Sequence, residues 1–327
     1  MRPGERSSGG ARNAPGHGVA DRDVLRFGEV DVQRVVEWTG PIRTVGELFP
    51  DTPGDVWAEH RDWLTPTFVG SDGGYRAAIQ TWVLRRGGLT VLVDTGVGND
   101  RDRPQVPAFA GLQTDFLDRL ATAGIDRAEV DVVVNTHVHY DHVGWNTVRA
   151  GDAWVPTFPN ARYLVPARDR EHFRPENASR MRAPRTEDER RRFEGIQLVY
   201  ADSITPVEQA GQLETWDGAL VLADGLRLEL APGHTPGSSV LWLEDGAGAA
   251  FVGDLTHTPV QLLRPDDACA FDLDAATARA SRRSVFARAA RTGATVLPAH
   301  YPGPGGAALT PDRDGYRVDR WAAFPPL

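Results

Sequence analysis

The sequence predicts an α/β domain built from layers. Strand-like apolar runs alternate with a helical pattern: Thr90 to Val93, then Thr114 to Ala123, then Val130 to Val134. Polar turns rich in His and Asp follow directly on strand-like runs, the place where α/β folds carry chemistry. A chain of 327 residues with 41% hydrophobic content can bury one large domain, two being the alternative.

Residues 1–24 are rich in Gly, Arg, Ser and Ala and have no apolar core segment, so they read as a disordered leader rather than a signal peptide. A single folded domain is expected over 25–327. Phe27 to Val36 is a candidate first strand pair. Val45 to Leu64 reads as an N-terminal arm whose aromatics, Phe49, Trp57 and Trp63, bury an extra helix near Asp55 to His60. The same aromatics offer a surface for a second copy of the chain, a homodimer. Ala77 to Leu84 and Thr90 to Val93 flank Gly87-Gly88 as a β-hairpin. Thr114 to Ala123 is a helix, with Phe116, Leu117 and Leu120 on one face, Thr114 or Asp115 as N-cap and Gly124 as stop. Pro166 to Glu214 is charge-dense and helical, with segments at Ala167 to Phe173 and Thr186 to Phe193. It reads as an insertion (166–214) over the site, either a solvated excursion or a lid that brings an Arg to an anionic group. Asp312 to Val318 carries an Asp-Gly pair suited to a closing hairpin.

Composition excludes several classes. A net charge of −9 argues against non-specific nucleic-acid binding. All 36 basic residues are Arg, a bias expected of a high-GC genome rather than of function. The single cysteine, Cys269, excludes an intrachain disulfide. No run of 18 apolar residues suggests a membrane span, and cytoplasmic is the default expectation.

The chemistry lies in Thr136-His137-Val138-His139-Tyr140-Asp141-His142. Three imidazoles and a carboxylate this close, after an apolar strand, read as metal ligands. Histidines two apart in an extended segment point the same way, so His137 and His139 can grip one ion. The following turn can aim Asp141 and His142 at a second. His234, in Gly233-His234-Thr235-Pro236-Gly237, Asp254 after Phe251-Val252-Gly253, and His300 in Pro298-Ala299-His300 each follow a strand-like run. His17, His60 and His172 stand alone and read as ordinary surface histidines.

These motifs, with Val91-Leu92-Val93-Asp94-Thr95-Gly96, resemble the metallo-β-lactamase superfamily of binuclear metallohydrolases over about Val91 to His300. The resemblance implies an αβ/βα four-layer sandwich. It implies a first metal on His137, His139 and His234, a second on Asp141, His142 and His300, and Asp254 bridging them. Asp94 would orient the metal loop without being a ligand. Imidazole and carboxylate donors without thiolate suit two divalent ions, Zn²⁺ first, with Mn²⁺, Co²⁺ or Fe²⁺ as alternatives. Two such ions about 3.5–4 Å apart hold a hydroxide for attack. The tail resembles the branch containing methyl parathion hydrolase and lactonases. Asp254 stands in the region where lactamases proper often use Cys, which disfavours a β-lactamase.

The expected function is therefore hydrolysis of a carboxylic ester or lactone, a small-molecule substrate. Acyl-homoserine lactones are one concrete class, and phosphotriesters are a promiscuous one. Asp141 or His257, three residues beyond Asp254, would manage the leaving-group proton. A hydroxyacylglutathione-type thioesterase is the alternative, although Asp141-His142-Val143-Gly144-Trp145 replaces the second glycine of its usual motif with Trp. Redox diiron relatives often carry Glu where this chain has His139. A non-catalytic metal-binding module is the alternative of a different class.

Overall fold

The computed structural model describes residues 24–180 and 184–325. The expected leader therefore lies outside the described residues, apart from Val24. In chain order the elements begin with β1 (Val24–Phe27), β2 (Val30–Thr44), α1 (Val45–Leu48), α2 (Gly54–Glu59), α3 (Arg61–Leu64), β3 (Gly74–Arg86), β4 (Leu89–Val93), α4 (Phe116–Thr122) and β5 (Val132–Val134). They continue with β6 (Thr147–Ala150), β7 (Ala153–Pro156), β8 (Arg162–Pro166), α5 (Ala167–Phe173), α6 (Glu187–Val199), α7 (Thr205–Gln209) and β9 (Leu213–Trp216). The second half holds β10 (Ala219–Ala223), β11 (Leu226–Leu230), β12 (Ser239–Leu243), β13 (Ala249–Gly253), α8 (Val260–Leu263), α9 (Ala275–Thr292), β14 (Thr295–Pro298), β15 (Ala307–Asp312) and β16 (Gly315–Trp321).

Two sheets stack face to face. One has the order β1-β2-β3-β4-β5-β8-β9 and the other β10-β11-β12-β13-β14-β15-β16. Strand alternation divides each sheet between two cores. Val91, Val93, Val132 and Val134 point inward and meet Leu228, Leu241 and Phe251 of the opposite sheet. Their neighbours Leu92 and Val133 point outward, where Phe116 and Leu120 of α4 cover them. Trp242, Ala250 and Val252 point outward from the second sheet against Val285, Phe286 and Ala289 of α9. Helix, sheet, sheet, helix is the αβ/βα four-layer sandwich that the sequence predicts. Every one of these side chains is buried, so truncating one such as Leu92 to Ala would cost about 2–5 kcal/mol.

Local chemistry sets the helix ends. Asp274 caps α9 by accepting from the Thr277 N–H at 3.0 Å, and Gly293 closes it with φ 76°. Several boundaries differ from expectation. The first hairpin turns at Gly28-Glu29, and β2 runs on to Thr44 because it lies along β3 for that whole length. Helix α4 is shorter than Thr114 to Ala123, and Asp115 caps it without a side-chain hydrogen bond. Helix α6 runs past Phe193 to Val199 because Ile196, Val199 and Tyr200 pack on Val138 and Val143 beneath it. The closing hairpin turns at Arg313-Asp314, with Gly315 already paired to Asp312. In the arm, Phe49 packs on Trp57 and Tyr75 within the chain, and Trp63 lies against Trp321. Among the described residues no helix is long and apolar enough to cross a membrane.

Strand direction positions the site. Strands β4 and β5 run parallel, as do β13 and β14, so Asp94, Thr136, Asp254 and Ala299 all leave the sheets at one edge. Gly253 sits where the two sheets meet at that edge. Its φ is 50°, and a Cβ there would stand 2.5 Å from Thr136 Oγ1, so only glycine fits.

Candidate metal centre

Seven side chains converge at this edge in two adjoining groups. His137, His139, His234 and Asp254 form one, and Asp141, His142 and His300 the other. His137 Nε2 lies 3.0 Å from His139 Nδ1, which lies 3.1 Å from His234 Nε2. The segment carrying His137 and His139 is a loop rather than an extended strand, so the two rings meet through different nitrogens. Asp254 reaches both groups. Its Oδ2 is 3.2 Å from His234 Nε2, while its Oδ1 is 3.2 Å from His142 Nε2 and 3.0 Å from His300 Nε2. Asp141 faces His142 at 3.7 Å and His300 at 3.5 Å.

This arrangement fits metal ions. Donors on one tetrahedral ion with bonds of 2.0–2.1 Å stand about 3.3 Å apart, close to these separations. Ring nitrogens facing each other leave lone pairs aimed at a common point. His142 Nε2 and Asp254 Oδ1 are buried without a hydrogen-bond partner, a costly state that a cation would relieve.

The far ring nitrogens are held from behind. His142 Nδ1 donates to Asp94 Oδ2 at 2.9 Å, His300 Nδ1 to the Ala78 carbonyl at 3.0 Å, and His234 Nδ1 faces Asp272 Oδ1 at 3.3 Å. Such partners fix the tautomer and the ring orientation. Asp94 also accepts from the Thr136 N–H and hydroxyl, and it adopts φ 57°, which Asp tolerates better than most residues. Asp169, at the start of α5, accepts from the Val138 N–H, the Thr235 hydroxyl and the Gly237 N–H. It thereby ties the loop of His137 to the loop of His234. Burial raises the Asp169 carboxyl to about 6, although these donors favour its charged form. Glu37 does the equivalent for the turn after β4, accepting from the Val97 and Gly98 N–H groups and from Trp145 Nε1 at 2.7 Å. Burial raises it to about 7.

Electrostatics divides the imidazoles. Burial, then the neighbouring rings, hold His137 and His139 well below the ordinary range. Burial works against the charged form of His142 and His234 as well. There Asp254 and Asp94, or Asp254 and Asp272, outweigh it, leaving His142 well above its usual value and His234 at about 9. Asp254 itself is held well below the carboxylate range; burial opposes this, but His300, His142 and His257 outweigh it. The site gathers positive charge around a carboxylate, and a bound cation would displace protons from it.

His257 is buried beside these groups, with Nε2 3.1 Å from Asp254 Oδ2 and Nδ1 unpartnered. Tyr75 donates to the His257 carbonyl at 2.8 Å. A cavity of about 460 Å³ opens over His139, Asp141, His234, Asp254, His257 and His300. Its walls include Phe109, Tyr140 and Phe271, and Ile196 from α6. His172 rests on Phe173 and His60 on Trp63, both away from this cluster, and His17 lies outside the described residues. Cys269 is free and buried, and burial raises its thiol. Sequence reading missed Asp169 and Asp272. Asp272 has no spacing relation to His234, 38 residues away; Asp169 follows the strand-like Tyr163 to Val165, a signal of the kind that marks the ligands.

Solved structures share this architecture. A hydrolase described as AbOPH, of the beta lactamase superfamily, superposes with a TM-score of 0.73 at 24% identity, over 92% of this chain and 97% of its own. AidC, described as a dizinc quorum-quenching lactonase in complex with the product N-hexanoyl-L-homoserine, superposes with a TM-score of 0.73 at 22% identity, over 90% and 95%. A probable metal-dependent hydrolase from Staphylococcus aureus gives 0.69 at 16% identity, over 91% and 98%. These likenesses establish the fold. No curated protein matches the chain in sequence. The family model for the metallo-beta-lactamase superfamily matches residues 74–300, more than half of the chain, and the protein belongs to that superfamily.

Proposed function

We propose that this superfamily member hydrolyses a carboxylic ester or lactone of a small molecule. The observation that carries the reading is the sharing of Asp254: one carboxylate oxygen serves each donor group, beneath a cavity sized for one small ligand. His137, His139 and His234 would hold one divalent ion, Zn²⁺ by donor type, and Asp141, His142 and His300 the other. When bound, such a pair supplies Lewis acidity and an activated water at neutral pH. The rest is the work of this chain. Asp94, Asp272 and the Ala78 carbonyl keep the ring nitrogens aimed inward. Phe109, Tyr140, Phe271 and Ile196 exclude bulk water from the reacting carbonyl and seat the acyl or aryl part. His257, whose Nε2 lies 3.1 Å from Asp254 Oδ2, would pass a proton towards the leaving oxygen. Asp141, itself one of the second donor group, shares that role. Helix α6 serves as a wall of the pocket rather than as a solvated excursion. The lactonase description of AidC favours lactones such as acyl-homoserine lactones, and a phosphotriester presents a similar developing oxyanion.

The test is proton release by zinc-loaded protein on acyl-homoserine lactones, aryl esters, a thioester and a phosphotriester. Turnover of oxygen esters or lactones that stops on chelation and returns with zinc supports the reading. Turnover confined to the thioester replaces it with a hydroxyacylglutathione-type thioesterase. Silence from metal-replete protein across the panel points to a non-catalytic metal-binding module.

A further inference from the structure

The cavity over the metal centre has two cationic side chains in its walls, and they come from opposite sides. Arg43 stands at the end of β2 and Arg192 on α6, and both line the cavity that holds His139, Asp141 and His257. Neither has an ion-paired or hydrogen-bonded carboxylate among the described residues. Glu47 feels Arg43 only at a distance, its own carboxylate being engaged by Thr44. Several other arginines on this acidic chain are paired. Arg264 holds Asp267 at 2.6 Å, Arg283 holds Asp266 at 2.6 Å and Arg288 holds Glu229 at 2.8 Å.

Both side chains are placed by packing. The Arg43 guanidinium lies 5.9 Å from the centre of the Phe271 ring, and that ring borders His257 at 6.2 Å. Arg43 is therefore one aromatic ring beyond the reacting centre. On the other side, α6 presses on the loop before Phe109. A Cβ on Gly195 would stand 2.0 Å from Gln105 Oε1, so a larger residue there would displace the Gln105 side chain. This contact sets Arg192 and Ile196, one turn apart on α6, over the cavity. Arg43, Arg192 and Tyr140 line the same cavity. Between them the surfaces are apolar: Ile42, Val106, Phe109, Ile196, Phe271 and the exposed Leu273.

We infer that the substrate is an ester or lactone with an apolar body and an anionic group at its non-reacting end, which sets it apart from the neutral acyl-homoserine lactones, and that Arg43 and Arg192 bind that group. The inference rests on the hydrolase reading for its ester and on the two arginines for its charge. Guanidinium groups suit a carboxylate because their planar N–H pairs match its two oxygens.

Two measurements on the zinc-loaded full chain separate these parts. Phenol release is compared for monophenyl glutarate, which carries a carboxylate, and for its neutral methyl ester. The wild type is expected to favour the anionic ester in kcat/KM by about tenfold or more, with the difference in KM. In Arg43→Gln/Arg192→Gln the ratio falls towards one, and Arg43→Lys/Arg192→Lys recovers part of it. Calorimetry with 4-phenylbutane-1-sulfonate, an anion without a scissile ester and a weak metal ligand, reads the arginines without turnover. It should bind the wild type at least about tenfold more tightly than the glutamine variant, and the margin should shrink with added salt. Equal sulfonate binding by the two proteins overturns the anion site. A sulfonate difference with an ester ratio of one overturns the assignment of that site to the substrate. A sulfonate difference with no phenol from either ester leaves the anion site standing and sinks the ester hydrolase instead.

Discussion

The two halves of the metal centre are built in opposite ways. The first sheet delivers His137, His139, Asp141 and His142 from six consecutive residues of one loop after β5. The second sheet delivers His234, Asp254 and His300 from three loops, after β11, β13 and β14. A single loop needs only its own conformation to be fixed: Asn135 donates to the His142 carbonyl and is held by Asn146, and Asp94, after the neighbouring β4, holds the His142 ring. Three loops need the whole second sheet in register before their donors meet. The contrast teaches that one half of such a site is a local motif and the other is a property of the fold.

The strongest way to break this pairing is at Asp254, which belongs to both halves. Asp254→Ala should lower hydrolysis by about a thousandfold or more, because it removes a donor from each group at once. Elemental analysis should find fewer than two metals per chain. Near-wild-type turnover with full metal content would refute the shared carboxylate. The two halves can then be compared through their supports. Asp94→Ala and Asp272→Ala each free one imidazole and should cost about 10–100-fold in metal affinity or activity. Competition with a chromogenic chelator reads both, and the Asp94 variant should be hit harder because it also unties the Thr136 N–H.

Asp169→Asn probes the clasp between the halves. An amide cannot accept from all three donors, and a buried unsatisfied group costs about 1–3 kcal/mol. Urea unfolding should show that loss, and stability equal to the wild type would dismiss the clasp. Glu37 gives the most pH-dependent effect. Its folded value, about 7, lies above the ordinary 4.5. The folded state therefore favours its protonated form. That contribution is full below about 4.5 and is lost as pH rises to about 7, a change of roughly 3 kcal/mol. Glu37→Gln should be less stable at low pH, because its amide meets N–H donors, and the gap to the wild type should close as pH rises through this window. A gap that stays constant would place the Glu37 carboxyl at an ordinary value.

The sequence made much of this visible, and the reason differs by region. Continuous apolar runs over Val91 to Val93 and Val132 to Val134 mark strands whose two faces are both covered, and both faces are. The six-residue cluster is legible because its spacing is local. His234, Asp254 and His300 are legible one by one, each after a strand-like run; only the sheet order brings them together. Asp272 stayed hidden because a carboxylate behind a ring has no pattern in the chain; Asp169, although it follows a strand-like run, stayed hidden because its partners lie in two distant loops. The long α6 stayed half hidden because its last turns are helical through packing on Val138 and Val143, not through any signal of their own.

His300 adds an order in time. Its ring nitrogen donates to the Ala78 carbonyl, and its own carbonyl accepts from the Ala78 N–H, so the last donor is docked onto a strand made more than two hundred residues earlier. A chain leaving the ribosome exposes the loop of His137 to His142 long before His300 emerges. Domains fold as units, and four of the seven donors are synthesised well before the residues that complete the two groups. The centre is finished only when β14 closes the second sheet against the first.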